Sequence, residues 1–173
     1  VAIAQLDTAI KIYPGYADAF QRRAFIHFDI AKHEAVRIDS LRKISMDSLK
    51  KAMPGMNTAE ADSIINTRFD SLRTAAFTSK AEPDFKQALL LNPSQSVAHN
   101  NYGNLLFETR RWDEARGQFE LAIRYNPRYA HALNNLASIY GVMGDGERQA
   151  ADKDLPKNRT KHLTNAKMNY ETA

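Results

Sequence analysis

Side-chain amides are the residues whose recurrence suggests chemistry here: Asn100, Asn101 and Asn104 return 34 residues later as Asn134, Asn135 and, in the third place, Ser138. A carboxamide donates and accepts hydrogen bonds without carrying charge, so a row of them suits the N–H and C=O groups of an extended peptide. The plainer alternative is that these asparagines only satisfy local backbone groups. Other chemistries lack their residues. With no cysteine there is no disulfide, thiolate zinc site or cysteine nucleophile. Five histidines are present, yet none lies in an HExxH pattern or a dense ligand cluster, and His99 and His131 fall at surface-like positions. The serines have no nucleophile-elbow motif, and acids such as Asp113 and Glu114 sit in helix-surface pairs. Neither a metal site nor a catalytic centre is expected, and no cofactor is implied.

Charge narrows the partners further. The formal net charge is only +4, with both signs interspersed, which does not imply nucleic acid. A basic run at Lys153, Lys157, Arg159 and Lys161, and the pair Arg110-Arg111, have no aromatic residues beside them for base stacking, so solvated loop charge is expected. The sequon Asn158-Arg159-Thr160 matters only in a glycosylating secretory route. No stretch approaches the roughly 18 apolar residues of a membrane span, and the opening VAIAQLDTAIKIYP lacks a signal peptide's layout. No membrane insertion is expected in this segment, and a cytoplasmic or a periplasmic home fits the residues equally.

The elements that must position the amides follow from a repeat. Asn92-Pro93 and Asn126-Pro127 lie 34 residues apart, and the same offset carries Ala81 onto Ala115, Phe85 onto Phe119, Ala88 onto Ala122 and Gly103 onto Ala137. Small residues let two helices approach, while Leu106, Trp112 and Phe119 fill the space between them. Proline disfavours a helical residue before it, so each Asn-Pro ends a helix. Pro14 stands 79 residues before Pro93, and Ala2, Leu6 and Ala9 match Ala81, Phe85 and Ala88 at that offset. The 45-residue excess marks an insertion, roughly residues 31–77. A shorter one, roughly 147–163, follows Gly146, since Ala166, Tyr170 and Ala173 match Ala115, Phe119 and Ala122 only after 17 extra residues.

Ser96 to Pro127, SVAHNNYGNLLFETRRWDEARGQFELAIRYNP, resembles the tetratricopeptide repeat (TPR) family. The resemblance implies an all-α, TPR-type α-solenoid of antiparallel helix pairs, with a long helical hairpin extension in one repeat. It divides the chain into the second helix of a truncated repeat (1–14), a repeat carrying the hairpin (15–94), a complete repeat (95–128) and a repeat with the shorter insertion (129–173). An interior fragment of an array would begin and end in mid-pattern and expose apolar ends, which implies missing neighbours, self-association or a larger complex.

First helices of such repeats line a groove, so the resemblance assigns partner contact to Gln21, Arg22 and Phe25 in one repeat. In the next it assigns Asn100, Asn101, Asn104 and Glu108, and in the last His131, Asn134, Asn135 and Ser138. Asn101 and Asn135 stand two residues before Gly103 and Ala137, which is similar to the asparagine ladder of O-linked N-acetylglucosamine transferase arrays and implies sequence-tolerant peptide binding. Arg22 and Phe25 replace Asn101 and Asn104 in the first repeat, making that end more cationic and apolar. A carboxylate clamp for chaperone C-termini needs lysines and an arginine where Gln21, Asn104 and His131 stand, so that subtype is not expected.

Both sides of the long insertion have helical periodicity. Leu41, Ile44 and Leu49 mark one arm, and Ala61, Ile65, Phe69, Leu72 and Ala76 the other, with Pro54-Gly55 as the turn. Shared equally, the excess lengthens each repeat helix by about 33 Å at 1.5 Å per residue. Met46, Met53 and Met56 near the tip offer adaptable packing to a partner, although methionine also fills gaps. The expected role is a non-catalytic scaffold that binds a protein or an extended peptide. The alternatives are a structural module of a larger assembly and the substrate-recruiting arm of a multidomain enzyme.

Overall fold

The structure is a computed structural model that describes residues 2–55 and 57–153, together with 164–165, 167–168 and 171–172. The side chains of 58 and 147–153 lie outside the description, as do the expected helix positions Ala166, Tyr170 and Ala173, the tip residue Met56, and Lys157, Asn158, Arg159 and Lys161. Seven helices are described: α1 (Ala2–Ile12), α2 (Ala17–Ala52), α3 (Thr58–Thr78), α4 (Ala81–Leu91), α5 (Ser96–Glu108), α6 (Trp112–Tyr125) and α7 (Ala130–Lys153). No strand occurs among the described residues. The fold is therefore all-α. It divides at the first Asn-Pro stop into two compact units, Val1–Pro93 and Ser94–Ala173.

In the first unit α1 packs on α2, and α2 packs on both α3 and α4. Helix α2 runs 36 residues because no glycine or proline interrupts it between Pro14-Gly15 and Pro54-Gly55. Its buried residues Ala19, Ala24, Phe28, Ala31 and Ala35 recur at helical spacing, and small side chains there let α4 approach closely. Phe28 meets Phe77 with ring centroids 5.7 Å apart, and Phe77 and Phe85 are fully enclosed. Helix α3 begins where Asn57 Oδ1 accepts from the Ala59 N–H at 3.1 Å, a polar cap on a free amide.

The second arm of the hairpin differs from a simple extension of the following repeat helix. The chain turns at Ser79-Lys80, and α4 begins anew at Ala81. Pro83 supplies the reason: in a continuous helix it could not donate to the Ser79 carbonyl and its ring would clash there, whereas a first turn tolerates it. The inner seam also differs from the expected one. Leu41 and Ile44 are 55% and 61% exposed, and the half-buried stripe of α2 is Ile38, Arg42, Ser45, Met46 and Leu49. Five residues along a helix turn the direction by about 140°, so Ile44 and Leu49 cannot share one face. Across the seam, Ala61 is buried and Ile65, Phe69 and Ala76 are half-buried, while Leu72 is exposed.

In the second unit α5 packs on α6, and α6 on α7. Ala115, Phe119 and Ala122 are enclosed as fully as their counterparts Ala81, Phe85 and Ala88. A Cβ added at Gly103 would lie 2.5 Å from Phe119 Cε1, so glycine is what admits the ring. The stops repeat as well: Asn92 and Asn126 have φ and ψ of −140°, 87° and −140°, 90°, the extended form required before proline. Helix α7 continues past Gly146 to Lys153, into the region expected to be an insertion, because ERQAADK favours helix and the next breaker is Pro156.

Candidate functional site

The amides of the second unit converge. Asn135 on α7 reaches back between Asn100 and Asn104 of α5. Its Nδ2 donates to Asn100 Oδ1 at 3.0 Å and to Asn104 Oδ1 at 2.9 Å. Asn100 Nδ2 in turn donates to the neighbouring Asn101 Oδ1 at 3.4 Å. Asn100 is only 4% exposed, so this amide holds the surface in place from beneath rather than forming part of it. Asn101, Asn104 and Asn135 are half-buried, each with one side toward solvent. Asn134 and Ser138 lie exposed on α7, where the Ser138 hydroxyl donates to the Asn134 carbonyl at 3.0 Å. His131 is exposed with its ring 5.8 Å from that of Tyr129, and Glu108 is half-buried at the last position of α5.

His99 departs from its expected surface position. It is buried, its Nδ1 donates to Gln118 Oε1 at 2.8 Å, and its ring stacks on Tyr125 at 5.5 Å. An imidazole so enclosed braces α5 against α6. Among the described residues no group of three or more histidines, aspartates or glutamates is placed to hold a metal ion.

The first unit brings different groups together. Gln21 is half-buried, and Arg22 and Phe25 are exposed on α2. Beside them, Arg23 joins three helices: its Nε and Nη2 donate to Asp84 on α4 at 2.7 Å each, and its Nη1 to Asp7 on α1 at 2.6 Å. The bidentate bonds to Asp84 raise the guanidinium pKa against the opposing effect of burial, with Asp7 adding to the rise. Phe20 lies 5.6 Å from the guanidinium. His27, in the same neighbourhood, is held below its ordinary value of 6.5 by burial, which Asp84 partly offsets. This ion cluster was missed in the sequence. The available signal was Asp84, which occupies the register of Gln118 and so called for a polar partner on a neighbouring helix.

Two enclosed helix-pair registers, matched Asn-Pro stops and an amide-lined first-helix face define a helical-repeat protein. Residues 96–129 match the tetratricopeptide repeat family, and the described helices form an all-α helical-repeat fold of the kind that this match implies. It is 35% identical over 57 residues to tetratricopeptide repeat protein 6 of Homo sapiens, which covers 33% of this chain and 11% of that protein. It is 30% identical over 84 residues to the Hsp70-Hsp90 organizing protein of Triticum aestivum, covering 47% of the chain and 14% of that protein. An uncharacterized protein of Haemophilus influenzae is 34% identical over 56 residues, covering 32% of the chain and 31% of that protein. The chain thus spans a third or less of the length of these relatives. Tetratricopeptide repeats generally mediate protein–protein interaction, and no described helix is long and apolar enough to cross a membrane.

Proposed function

We propose that this chain is a non-catalytic interaction scaffold whose amide-lined face on α5 and α7 holds an extended segment of a partner protein. The observation that supports it is the Asn100–Asn104–Asn135 cluster, in which one amide bridges two repeats and leaves half-exposed amides in a row. Uncharged groups of this kind bind main chain without selecting side-chain charge. Asn101, Asn104 and Asn135 form the centre of the contact, with Asn134, Ser138 and His131 along α7 and Glu108 at the end of α5. In the first unit Gln21, Arg22 and Phe25 make a separate contact of cationic and apolar character. Residues 15–94 form one repeat interrupted by the hairpin at about 31–77, and 129–173 a repeat interrupted at about 147–163.

The test is selection of peptides from a random display library on the full chain, followed by titration of the selected peptides against Asn101→Ala/Asn135→Ala. Loss of two main-chain hydrogen bonds lowers affinity on the order of tenfold or more. Peptides that bind the double variant as tightly as the wild type overturn the amide-face reading.

A further inference from the structure

The hydrogen bonds among the four asparagines give each amide an orientation as well as a position. Both Nδ2 hydrogens of Asn135 are committed inside the protein, to Asn100 Oδ1 and Asn104 Oδ1. A carboxamide is planar, so once its nitrogen points inward its oxygen points away. Asn101 Oδ1 is likewise engaged by Asn100 Nδ2. The polar atoms left over are therefore sorted by helix. On α5 they are donors, the Nδ2 groups of Asn101 and Asn104; on α7 it is an acceptor, Asn135 Oδ1. No other described residue takes these three atoms.

We infer that Asn135 is a positioning residue that sets the polarity of this face, so that a bound peptide turns carbonyl groups toward α5 and N–H groups toward α7. This rests on the peptide-binding reading above. An extended strand has N–H and C=O groups on both of its edges, so sorted donors and acceptors fix which residue of the peptide stands opposite which helix. The ligand class is an extended, uncharged main chain, selected by register rather than by side-chain charge. The first unit cannot build the same cluster from its own register, because Phe25 stands where Asn104 does and has no oxygen to accept with.

The experiment uses the full chain and the capped octapeptide acetyl-(Ala-Ser)4-amide, with an N-methylated counterpart that lacks backbone N–H donors. Side-chain amide resonances are followed by NMR. In the wild type the Asn135 Nδ2 protons exchange more slowly than those of exposed Asn134, the octapeptide shifts the Asn101 and Asn104 amides, and N-methylation weakens binding on the order of tenfold. In Asn135→Asp the carboxylate has no donor, so Asn100 and Asn104 turn their Nδ2 groups toward it. The Asn104 amide protons then become protected and octapeptide affinity falls on the order of tenfold. Asn135→Leu, which adds no charge, loses affinity without protecting Asn104, and thermal unfolding confirms that both variants are folded. Asn135 protons exchanging as fast as those of Asn134, an N-methylated peptide binding as well as the parent, or octapeptide binding that both variants leave unchanged overturns the polarity assignment alone. No octapeptide-induced shift on α5 or α7 of the wild type overturns the peptide reading, and this assignment with it.

Discussion

The two units enclose the same apolar framework and fill its polar positions in opposite ways. Phe85 and Phe119, with the alanines one turn to either side, are buried alike, and the Asn-Pro stops share their backbone angles. Around that framework the first unit uses charge, with Arg23 held between Asp84 and Asp7. The second uses neutral groups, with His99 on Gln118 and Asn135 on Asn100 and Asn104. Small and aromatic residues fix where the helices go, so the polar positions around them are free to vary with the surface being presented. An ion cluster joins helices but presents a field that salt screens; an amide cluster presents hydrogen bonds that salt leaves largely alone.

The sharpest way to break this comparison is to remove the charge. In Arg23→Met, Asp84 keeps a side chain only 11% exposed and loses its bidentate partner. Removing one partner of a buried ion pair costs about 3–5 kcal/mol, the lower end applying because Arg23 itself is partly exposed. Trp112 is the only tryptophan and lies in the second unit, so its fluorescence follows that unit while far-UV circular dichroism follows both. In urea the circular dichroism transition is expected to shift to lower denaturant by more than the Trp112 transition. Equal shifts would mean that the two units unfold together and that the clamp is not a local device.

The corresponding test in the second unit is steric. Gly103→Ala places a methyl 2.5 Å from the Phe119 ring, which is fully enclosed and has little room to move. Overpacking of this kind costs about 1–3 kcal/mol, partly offset by the better helix propensity of alanine. Adding Phe119→Leu should recover part of the loss, measured as a coupling energy in a double-mutant cycle. Additive effects would show that the close approach does not decide the helix spacing.

The framework was legible in the sequence because each of its constraints recurs. Alanine, phenylalanine and Asn-Pro at a fixed offset leave few ways to stack helices, and the turn at Pro54-Gly55 announces itself. What escaped was decided by single residues outside the repeat. Pro83 starts α4 afresh, although a proline near a helix start is visible in the sequence. Arg42 and Ser45 take the inner seam of the hairpin while Leu41 and Ile44 face out, an inversion that a hydrophobic pattern cannot show. Of the amides, the recurrence of Asn100-Asn101 was plain. That Asn135 bridges to Asn100 and buries it depends on the spacing between α5 and α7, which no local pattern records.

A smaller effect comes from the turn between α5 and α6. Arg110 has φ of 60°, and the Arg110 and Arg111 N–H groups donate to the Phe107 and Leu106 carbonyls at 3.0 and 2.9 Å. This is the helix stop that glycine occupies without strain. Arg110→Gly is expected to stabilise by about 1 kcal/mol, seen as a later Trp112 transition in urea. An unchanged or earlier midpoint would mean that the arginine side chain offsets its own backbone strain.

The smallest effect returns to the charged unit and is a matter of pH. Burial holds His27 below 6.5, with Lys80 and Arg23 acting in the same direction and Asp84 and Asp7 against it. The folded chain therefore binds this proton less readily than the unfolded chain. The stability that His27 contributes is fully present above about pH 6.5, falls as the pH drops through the lowered folded value, and levels off below it. In His27→Gln that decline is expected to be shallower, measured as the pH dependence of the urea midpoint. Arg23→Met should move the NMR titration of His27 upward, since Arg23 acts to lower it and Asp84, which acts to raise it, is then left without its partner. A His27 titration that does not respond to loss of Arg23 would separate the histidine from the ion cluster and confine the cluster's role to joining helices.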